Sequence, residues 1–381
     1  MSDAKGRIQD VSRQSLANVR DICTRFSILS LSREIEACEK LLVDNPPIDV
    51  AILGQFKAGK SSFINSLVGK AVLPVGVIPV TTVITRLHYG ETEKAVVRYF
   101  DGKTSEVGMS EIHTFTSEAE NPSNRKNVEV VDIELPSLKK YAGLRLVDTP
   151  GLGSVFKYHM EISENWLPQV GTAILAISSD RPLSGSDVQL IRELTRHTPN
   201  IVILLTKADL LSAEQQMEVI KFFELTIQKE LNRPLPIYVY STQLHTDEYR
   251  ERLEKGILST LSSNRDFEFV KILQYKMQSL INGCFGYLDI ALKTSQQTDH
   301  DRAKQDKQRR GQQLWFRGHE RHDAERHHEA DANQCRYHRI VRPRQCGFGQ
   351  RRAPLGNGRT NGAYAGQYEH EADPQRKHDP Q

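Results

Sequence analysis

Residues 54–62, GQFKAGKSS, constrain the fold of this 381-residue chain more than any other stretch. The segment fits the pattern Gly-x4-Gly-Lys-Ser, and it lies between the apolar run IDVAIL and an amphipathic stretch. In this pattern backbone N–H groups surround a phosphate, the lysine reaches the β- and γ-phosphates, and the serine hydroxyl binds Mg²⁺. The pattern therefore predicts a strand, a loop and a helix around a bound nucleotide. The predicted nucleotide contacts in this loop are Gly54, Lys57, Ala58, Gly59, Lys60, Ser61 and Ser62.

Short apolar runs alternate with amphipathic stretches throughout residues 47–264. Runs such as TAILAIS and IVILLT are continuously apolar, which is typical of strands buried on both faces. The alternation predicts an α/β fold with a mostly parallel sheet and helices on both faces. Between residues 85 and 135 polar and apolar residues alternate instead, which predicts an antiparallel edge with a surface insertion.

Helical patterns flank this domain on both sides. Apolar residues recur every three or four positions in residues 1–46 and again in residues 265–300. Each stretch predicts a helix whose apolar face needs a partner, so we expect the two to pack together as a helical bundle.

Residues 301–381 differ in composition from the rest of the chain. They contain only four leucine, isoleucine or valine residues, and 17 Lys and Arg against 11 Asp and Glu. Such a segment cannot build a packed core, which predicts disorder; translation in a shifted reading frame is the alternative. Residues 1–300 carry 34 Lys and Arg against 37 Asp and Glu, so no nucleic-acid partner is expected.

Two further motifs predict the phosphate end of a nucleotide site. LVDTPG, residues 146–151, ends an apolar run with Asp148, whose carboxylate is suited to hold Mg²⁺, and the Gly151 N–H is suited to meet the γ-phosphate. A threonine between the loop and Asp148 should complete the metal shell. Thr81 and Thr82 both qualify, and Thr81 is favoured. The predicted metal ligands are therefore Ser61, Thr81 and Asp148, and Lys60 and Thr81 are predicted to be catalytic.

LLTKAD, residues 204–209, predicts which base is bound. Asp209 can accept hydrogen bonds from both N1–H and the amino group of guanine, a donor pair that adenine lacks, and the Lys207 stem can lie along the base. A buried carboxylate left unpaired would reject other bases. The remaining predicted contacts are Thr206, Ser241 and Thr242.

The loop, a switch threonine, DTPG and TKAD follow one another over about 155 residues in the order found in GTP-binding proteins. Together with the flanking helices, GQFKAGKSS, LPVGVIPVTT and DTPGLGS resemble the dynamin superfamily, especially the bacterial dynamin-like proteins. The resemblance covers residues 10–295 and implies a P-loop GTPase domain flanked by a helical neck. The resemblance also implies a long helical stalk after this neck, which residues 301–381 are not expected to form.

The resemblance also implies a mechanism. Leu152 stands where Ras-like switches carry a water-orienting glutamine, and dynamin-like GTPases hydrolyse GTP after two G domains pair across the nucleotide. Lys57 falls where the guanylate-binding branch carries a basic side chain that stabilises the transferring phosphoryl group; a solvated loop lysine is the alternative. The residues implied for the neck core are Ile22, Phe26, Leu273 and Leu280.

We therefore expect a GTPase that uses Mg²⁺, forms a homodimer through its G domain and is coupled to membrane remodelling. The alternatives are a regulatory GTPase with an RNA or ribosomal partner, and a truncated G domain without mechanical function. The scattered cysteines and the lack of a signal peptide or of a ~20-residue apolar run predict a cytoplasmic location, with peripheral contact at the inner membrane face as an option.

Overall fold

The computed structural model describes residues 2–43, 46–76, 81–150 and 166–338 of the chain. Within these ranges nine strands form one sheet with the order β4-β3-β5-β2-β6-β1-β7-β8-β9. The strands are β1 (Ile48–Leu53), β2 (Ile84–His88), β3 (Lys94–Tyr99), β4 (Thr104–Val107), β5 (Val128–Glu134), β6 (Leu144–Asp148), β7 (Thr172–Ser178), β8 (Asn200–Thr206) and β9 (Ile237–Val239).

The pairing of these strands confirms the predicted mixed sheet. Strands β6, β1, β7, β8 and β9 run parallel to one another. Strand β2 pairs antiparallel with β6, and β3 pairs antiparallel with both β4 and β5, whereas β2 and β5 are parallel. The antiparallel pairs thus lie at the edge where the sequence alternates.

Helices cover both faces of the sheet, as predicted. Side chains alternate along a strand, so Val50 and Ile52 of β1 enter one apolar cluster, whereas Ala51 and Leu53 enter the other. The described helices are α1 (Ser2–Arg25), α2 (Ser32–Leu42), α3 (Lys60–Val68), α4 (His113–Thr116), α5 (Gly185–His197), α6 (Ala213–Leu231), α7 (Thr246–Leu253), α8 (Ser259–Ser263) and α9 (Arg265–His338).

A third apolar cluster joins α1, α2 and α9 and confirms the helical bundle beside the sheet. Leu273 and Leu280 are buried in this cluster, and Ile22 packs against it. The placement of Phe26 in the bundle core is wrong, since its side chain is 54% exposed. Helix α1 ends at Arg25, and the backbone then turns with a positive φ at Ser27, which takes Phe26 off the apolar stripe.

Helix α9 continues to His338, whereas disorder was predicted from residue 301. Described side chains between residues 289 and 313 are exposed, so this part of the helix has no packed face. Arg, Gln, Lys, Glu and Ala are strong helix formers, and helix propensity does not require burial. The chain divides into two units, residues 1–298 and 299–381. None of the described helices is both long enough and apolar enough to cross a membrane.

Candidate nucleotide site

The loop after β1 needs glycine at two positions. Gly54 has φ +143°, and a Cβ there would lie 2.3 Å from the Ala176 carbonyl oxygen of β7. Gly59 has φ +81° and immediately precedes α3. Both conformations are costly for residues with a side chain. The glycines therefore allow the chain to leave β1 close to β7 and to enter α3 within six residues.

Lys60 lies at the start of α3 and is buried. Its Nζ donates to the carbonyl oxygens of Gly54 and Gln55, at 3.3 Å each. Burial lowers the pKa of Lys60, while the nearby carboxylate of Asp148 acts in the opposite direction. These long bonds to neutral oxygens hold the ammonium inside the loop, where an anionic oxygen would be a stronger acceptor.

Two of the three predicted metal ligands bond to the third, because the hydroxyl groups of Ser61 and Thr81 both donate to the carboxylate of Asp148. Asp148, at the end of β6, is fully buried and accepts from Ser61 Oγ at 2.8 Å and from Thr81 Oγ1 at 3.2 Å, both at Oδ2. Its Oδ1 is also buried and has no hydrogen-bond partner among the described residues. Burial raises the pKa of Asp148, against the effect of the Lys60 charge and the two hydroxyl donors.

This oxygen set fits Mg²⁺. Mg²⁺ prefers oxygen ligands and in nucleotide sites is held by one or two carboxylates together with phosphates and waters. A carboxylate with a buried, unpaired oxygen beside two hydroxyl groups meets that preference. In the part of the chain that the structure describes, no group of three His, Cys, Asp or Glu offers another metal site.

Thr81 and Thr82, which the sequence leaves as alternatives, have different surroundings. Thr82 is completely buried, and its Oγ1 donates to the Thr116 carbonyl oxygen at 3.2 Å, away from Asp148. Thr81 contacts Asp148, and its backbone forms an isolated bridge with Ser117. The geometry favours Thr81 as the ligand, and that role stays a prediction.

The predicted guanine-binding residues lie together at the ends of β8 and β9. Asp209 Oδ1 accepts from Ser241 Oγ at 2.5 Å. Ser241 Oγ in turn accepts from the backbone N–H groups of Gln243 and Leu244, at 3.0 and 3.1 Å. This chain of bonds fixes the orientation of the Asp209 carboxylate. Thr242 is exposed next to it.

Thr206 and Lys207 connect this end of the site to its surroundings. Thr206 Oγ1 donates to the Ala58 carbonyl oxygen at 2.8 Å and so joins the end of β8 to the phosphate loop. Lys207 has a left-handed backbone, and its Nζ pairs with Asp180 at 3.2 Å. The lysine stem is thereby held beside the Asp209 turn.

Lys57 points out of the loop. It has a positive φ of 63° and an exposed side chain, whose Nζ lies 5.4 Å from the centre of the Phe56 ring. Ser62 is partly buried in the first turn of α3. Gly151 and Leu152 lie outside the described residues, so their predicted roles stay predictions.

Sequence reasoning missed the side chain of Gln55. Its Nε2 donates to Ser184 Oγ at 3.1 Å and to Ser186 Oγ at 3.0 Å, with a longer bond of 3.4 Å to Asp187 Oδ1. The cap signature Ser-x-x-Asp at residues 184–187 marks a helix start, but nothing in the sequence links it to the loop. Gln55 is therefore an unpredicted contact between the phosphate loop and α5.

Comparison with known proteins relates this site to one family. A model of the Dynamin family matches residues 50–208. The Arabidopsis thaliana protein named "Probable transmembrane GTPase FZO-like, chloroplastic" is 29% identical over 235 residues, 61% of this chain and 23% of that protein. "Dynamin-like protein 2" of Campylobacter jejuni is 26% identical over 233 residues, 61% of this chain and 36% of that protein.

Solved structures include a similar chain from an oligomerised bacterial dynamin pair. That chain matches with a TM-score of 0.46 and 16% identity, over 85% of this chain and 53% of its own length. The present chain thus spans about half or less of the length of these three proteins.

Proposed function

We propose that this chain, which belongs to the dynamin superfamily through residues 50–208, binds GTP and hydrolyses it to GDP and phosphate. The observation that carries the proposal is the convergence of Ser61 and Thr81 on the buried carboxylate of Asp148. These residues come from three separate parts of the chain, and folding brings their oxygens together beside a phosphate loop. The fixed carboxylate of Asp209 supports guanine as the base.

Each residue has a definite task in this proposal. Lys60 exchanges its two carbonyl partners for phosphate oxygens, and the loop N–H groups bind the same phosphates. Ser61, Thr81 and Asp148 would hold Mg²⁺, which would supply positive charge against the β- and γ-phosphates. Lys57 points out of the loop in this structure and would have to turn toward the bond that breaks, where its positive charge would stabilise the charge that develops as the phosphoryl group leaves.

Two finer parts of the proposal concern the whole protein. Dynamin-type pairing of two G domains is expected to complete the site, since Lys57 is exposed at the surface of its loop. A link to a membrane is supported by the Arabidopsis relative, which is named a probable transmembrane GTPase; membrane remodelling is the function that the family resemblance implies for such a link. The bundle of α1, α2 and α9 is the part of the chain that would transmit motion in such a function.

The adjacent threonines give a matched test of the site. Phosphate release from GTP is measured for the intact chain and for the variants Thr81→Ala and Thr82→Ala, with and without Mg²⁺. We expect Thr81→Ala to lower turnover about 10- to 100-fold, as loss of a metal-positioning group does. Thr82→Ala should retain turnover and lose some stability, since it removes a buried hydrogen bond outside the site. Equal turnover in the two variants would contradict the assignment.

The pairing of two G domains and the membrane link are tested with the same phosphate-release assay. Turnover per molecule is measured over a range of protein concentrations and with anionic liposomes. Turnover that rises with protein concentration supports pairing, and a further rise with liposomes supports a membrane link. A concentration-independent rate contradicts pairing but leaves GTP hydrolysis intact.

A further inference from the structure

The C-terminal end of α5 is held by side chains of α9. The last four carbonyl groups of a helix have no partner within the helix. In α5 the first of them, Leu194, accepts the Thr198 N–H at 3.0 Å. The other three accept from α9. These bonds are Tyr275 Oη to the Thr195 oxygen, Ser279 Oγ to the Arg196 oxygen at 2.7 Å, and Lys276 Nζ to the His197 oxygen at 2.7 Å.

Lys276 is the central residue of this contact. It is buried, and its Nζ donates to the Pro168 carbonyl oxygen at 2.7 Å as well as to His197. Its positive charge lies where the helix dipole of α5 is negative. The ammonium therefore joins three elements: α9, the end of α5 and the turn Leu167–Gln169 that precedes β7.

The N-terminal end of α5 is tied to the phosphate loop. Ser184 and Asp187 cap the helix reciprocally, and Arg181 pairs with Asp187 through two bonds, at 2.6 and 3.1 Å. The Gln55 amide donates to Ser184 Oγ of this cap at 3.1 Å, while the Gln55 carbonyl oxygen accepts from Lys60 Nζ. A displacement of this helix end would therefore move the backbone that holds Lys60.

We infer that α5 is a connecting rod between α9 and the phosphate loop, with Gln55 and Lys276 as positioning residues at its two ends. The helix has 13 residues, about 20 Å at 1.5 Å per residue. A helix bonded at both ends transmits displacement as a rigid body, so a shift of α9 changes the position of Lys60, and nucleotide binding shifts α9. The inference rests on the proposed GTP hydrolysis for its kinetic consequence.

A double-mutant cycle in the intact chain tests the rod. Gln55→Ala and Lys276→Met each cut one end, so each should lower kcat for GTP about tenfold while KM changes less than twofold. The double variant should be no slower than the slower single variant, because release of either end of α5 already abolishes transmission through the helix. If the two substitutions lowered kcat independently, so that their fold-changes multiplied in the double variant, the inference would be overturned.

Matched controls separate the rod from general damage. Lys271→Met alters a partly exposed lysine of α9 that bonds Asn200 and Glu268 rather than α5, and it should leave kcat unchanged. Ser279→Ala removes one small bond at the rod end and should lower kcat in the same direction as Lys276→Met. An equal loss of kcat in Lys271→Met would assign the effects to the stability of α9 and overturn the rod.

A second measurement does not depend on hydrolysis. Amide hydrogen exchange is followed with and without a non-hydrolysable GTP analogue, since exchange reports local opening. Binding should change exchange in residues 265–284 of the unaltered chain, and Gln55→Ala should abolish that change while the phosphate loop stays protected. If the analogue changes α9 but GTP is not turned over, the rod stands and the proposed hydrolysis fails. If the analogue does not change amide exchange in α9, or if it does not bind, the inference that α5 connects α9 to the phosphate loop is wrong.

Discussion

Lys60 and Lys276 are both buried lysines, and each donates to two backbone carbonyl oxygens. The bonds of Lys60 are 3.3 Å long, lie within one loop and have a carboxylate nearby, so a phosphate can replace them. Those of Lys276 are 2.7 Å long and join separate elements. The same chemical group thus serves as a ligand donor in one region and as a structural tie in the other. The two lysines differ in how easily a phosphate oxygen can replace the carbonyl oxygens that each one bonds.

The largest effect that distinguishes the two lysines is on nucleotide affinity. Lys60→Met should weaken GTP binding about 100-fold, close to 2.8 kcal/mol, because charge-assisted bonds to phosphate are lost. The free energy of unfolding should stay the same or rise, since a buried charge is removed. Titration with a fluorescent GTP analogue and urea unfolding measure both quantities. An affinity within threefold of the unaltered chain would contradict the role of Lys60.

The opposite pattern is expected for Lys276→Met. The free energy of unfolding should fall by about 1–3 kcal/mol, because two buried carbonyl groups lose their donor while the cost of a buried charge disappears. GTP affinity should change less than twofold. Lys271→Met, at a more exposed position of the same helix, should stay within about 0.5 kcal/mol. A large loss of GTP affinity in Lys276→Met would erase the distinction between the two lysines.

The pH dependence of stability sharpens the description of Lys276. Burial lowers its pKa from 10.5 to about 8, and the neighbouring Cys38, Asp49 and Glu34 oppose the shift. Below pH 8 the lysine is charged in the folded and unfolded states alike. Between pH 8 and 10.5 the unfolded state binds more protons, so the stability contributed by this group rises with pH.

Urea unfolding at pH 8 and 9.5 checks this sign. The free energy of unfolding of the unaltered chain, minus that of Lys276→Met, should increase by about 1.5 kcal/mol between the two values. The subtraction removes the groups whose titration does not depend on Lys276. A difference that falls with pH would show that the folded protein binds the proton of Lys276 more tightly than the unfolded chain.

Lys57 gives the smallest expected effect, since it is an exposed lysine in the same loop as Lys60. Lys57→Ala should lower the maximal rate of GTP turnover about fivefold, roughly 1 kcal/mol, because a charge near the transferring group is lost. Affinity for the analogue should remain within twofold. Steady-state kinetics beside the binding titration separates the two, and normal turnover would leave Lys57 as a solvated side chain.

The sequence predicts what local patterns determine. The role of Lys60 can be predicted from the sequence because the loop, its two glycines and the start of the helix all lie within nine residues. Lys276 is not predicted, because its partners Pro168 and His197 lie 108 and 79 residues away. Thr81 and Thr82 are neighbours with the same chemistry, and tertiary contacts alone separate them.

The errors in the flanking helices have the same origin. Phe26 fits the spacing of an apolar stripe, but a positive φ at Ser27 ends the helix first. Residues 301–338 show no apolar periodicity in the sequence, yet α9 continues to His338. In both cases the spacing of apolar residues does not show where a helix ends.

The most direct test of the nucleotide site compares two substrates and one variant. Phosphate release from GTP and from ATP is measured with Mg²⁺ for the intact chain and for Asp209→Asn. We predict hydrolysis of GTP, at least about 100-fold slower release from ATP, and loss of the GTP reaction in the variant, since the carboxylate that accepts from guanine is gone. Equal rates with GTP and ATP, or an unaffected variant, would contradict a guanine-specific site.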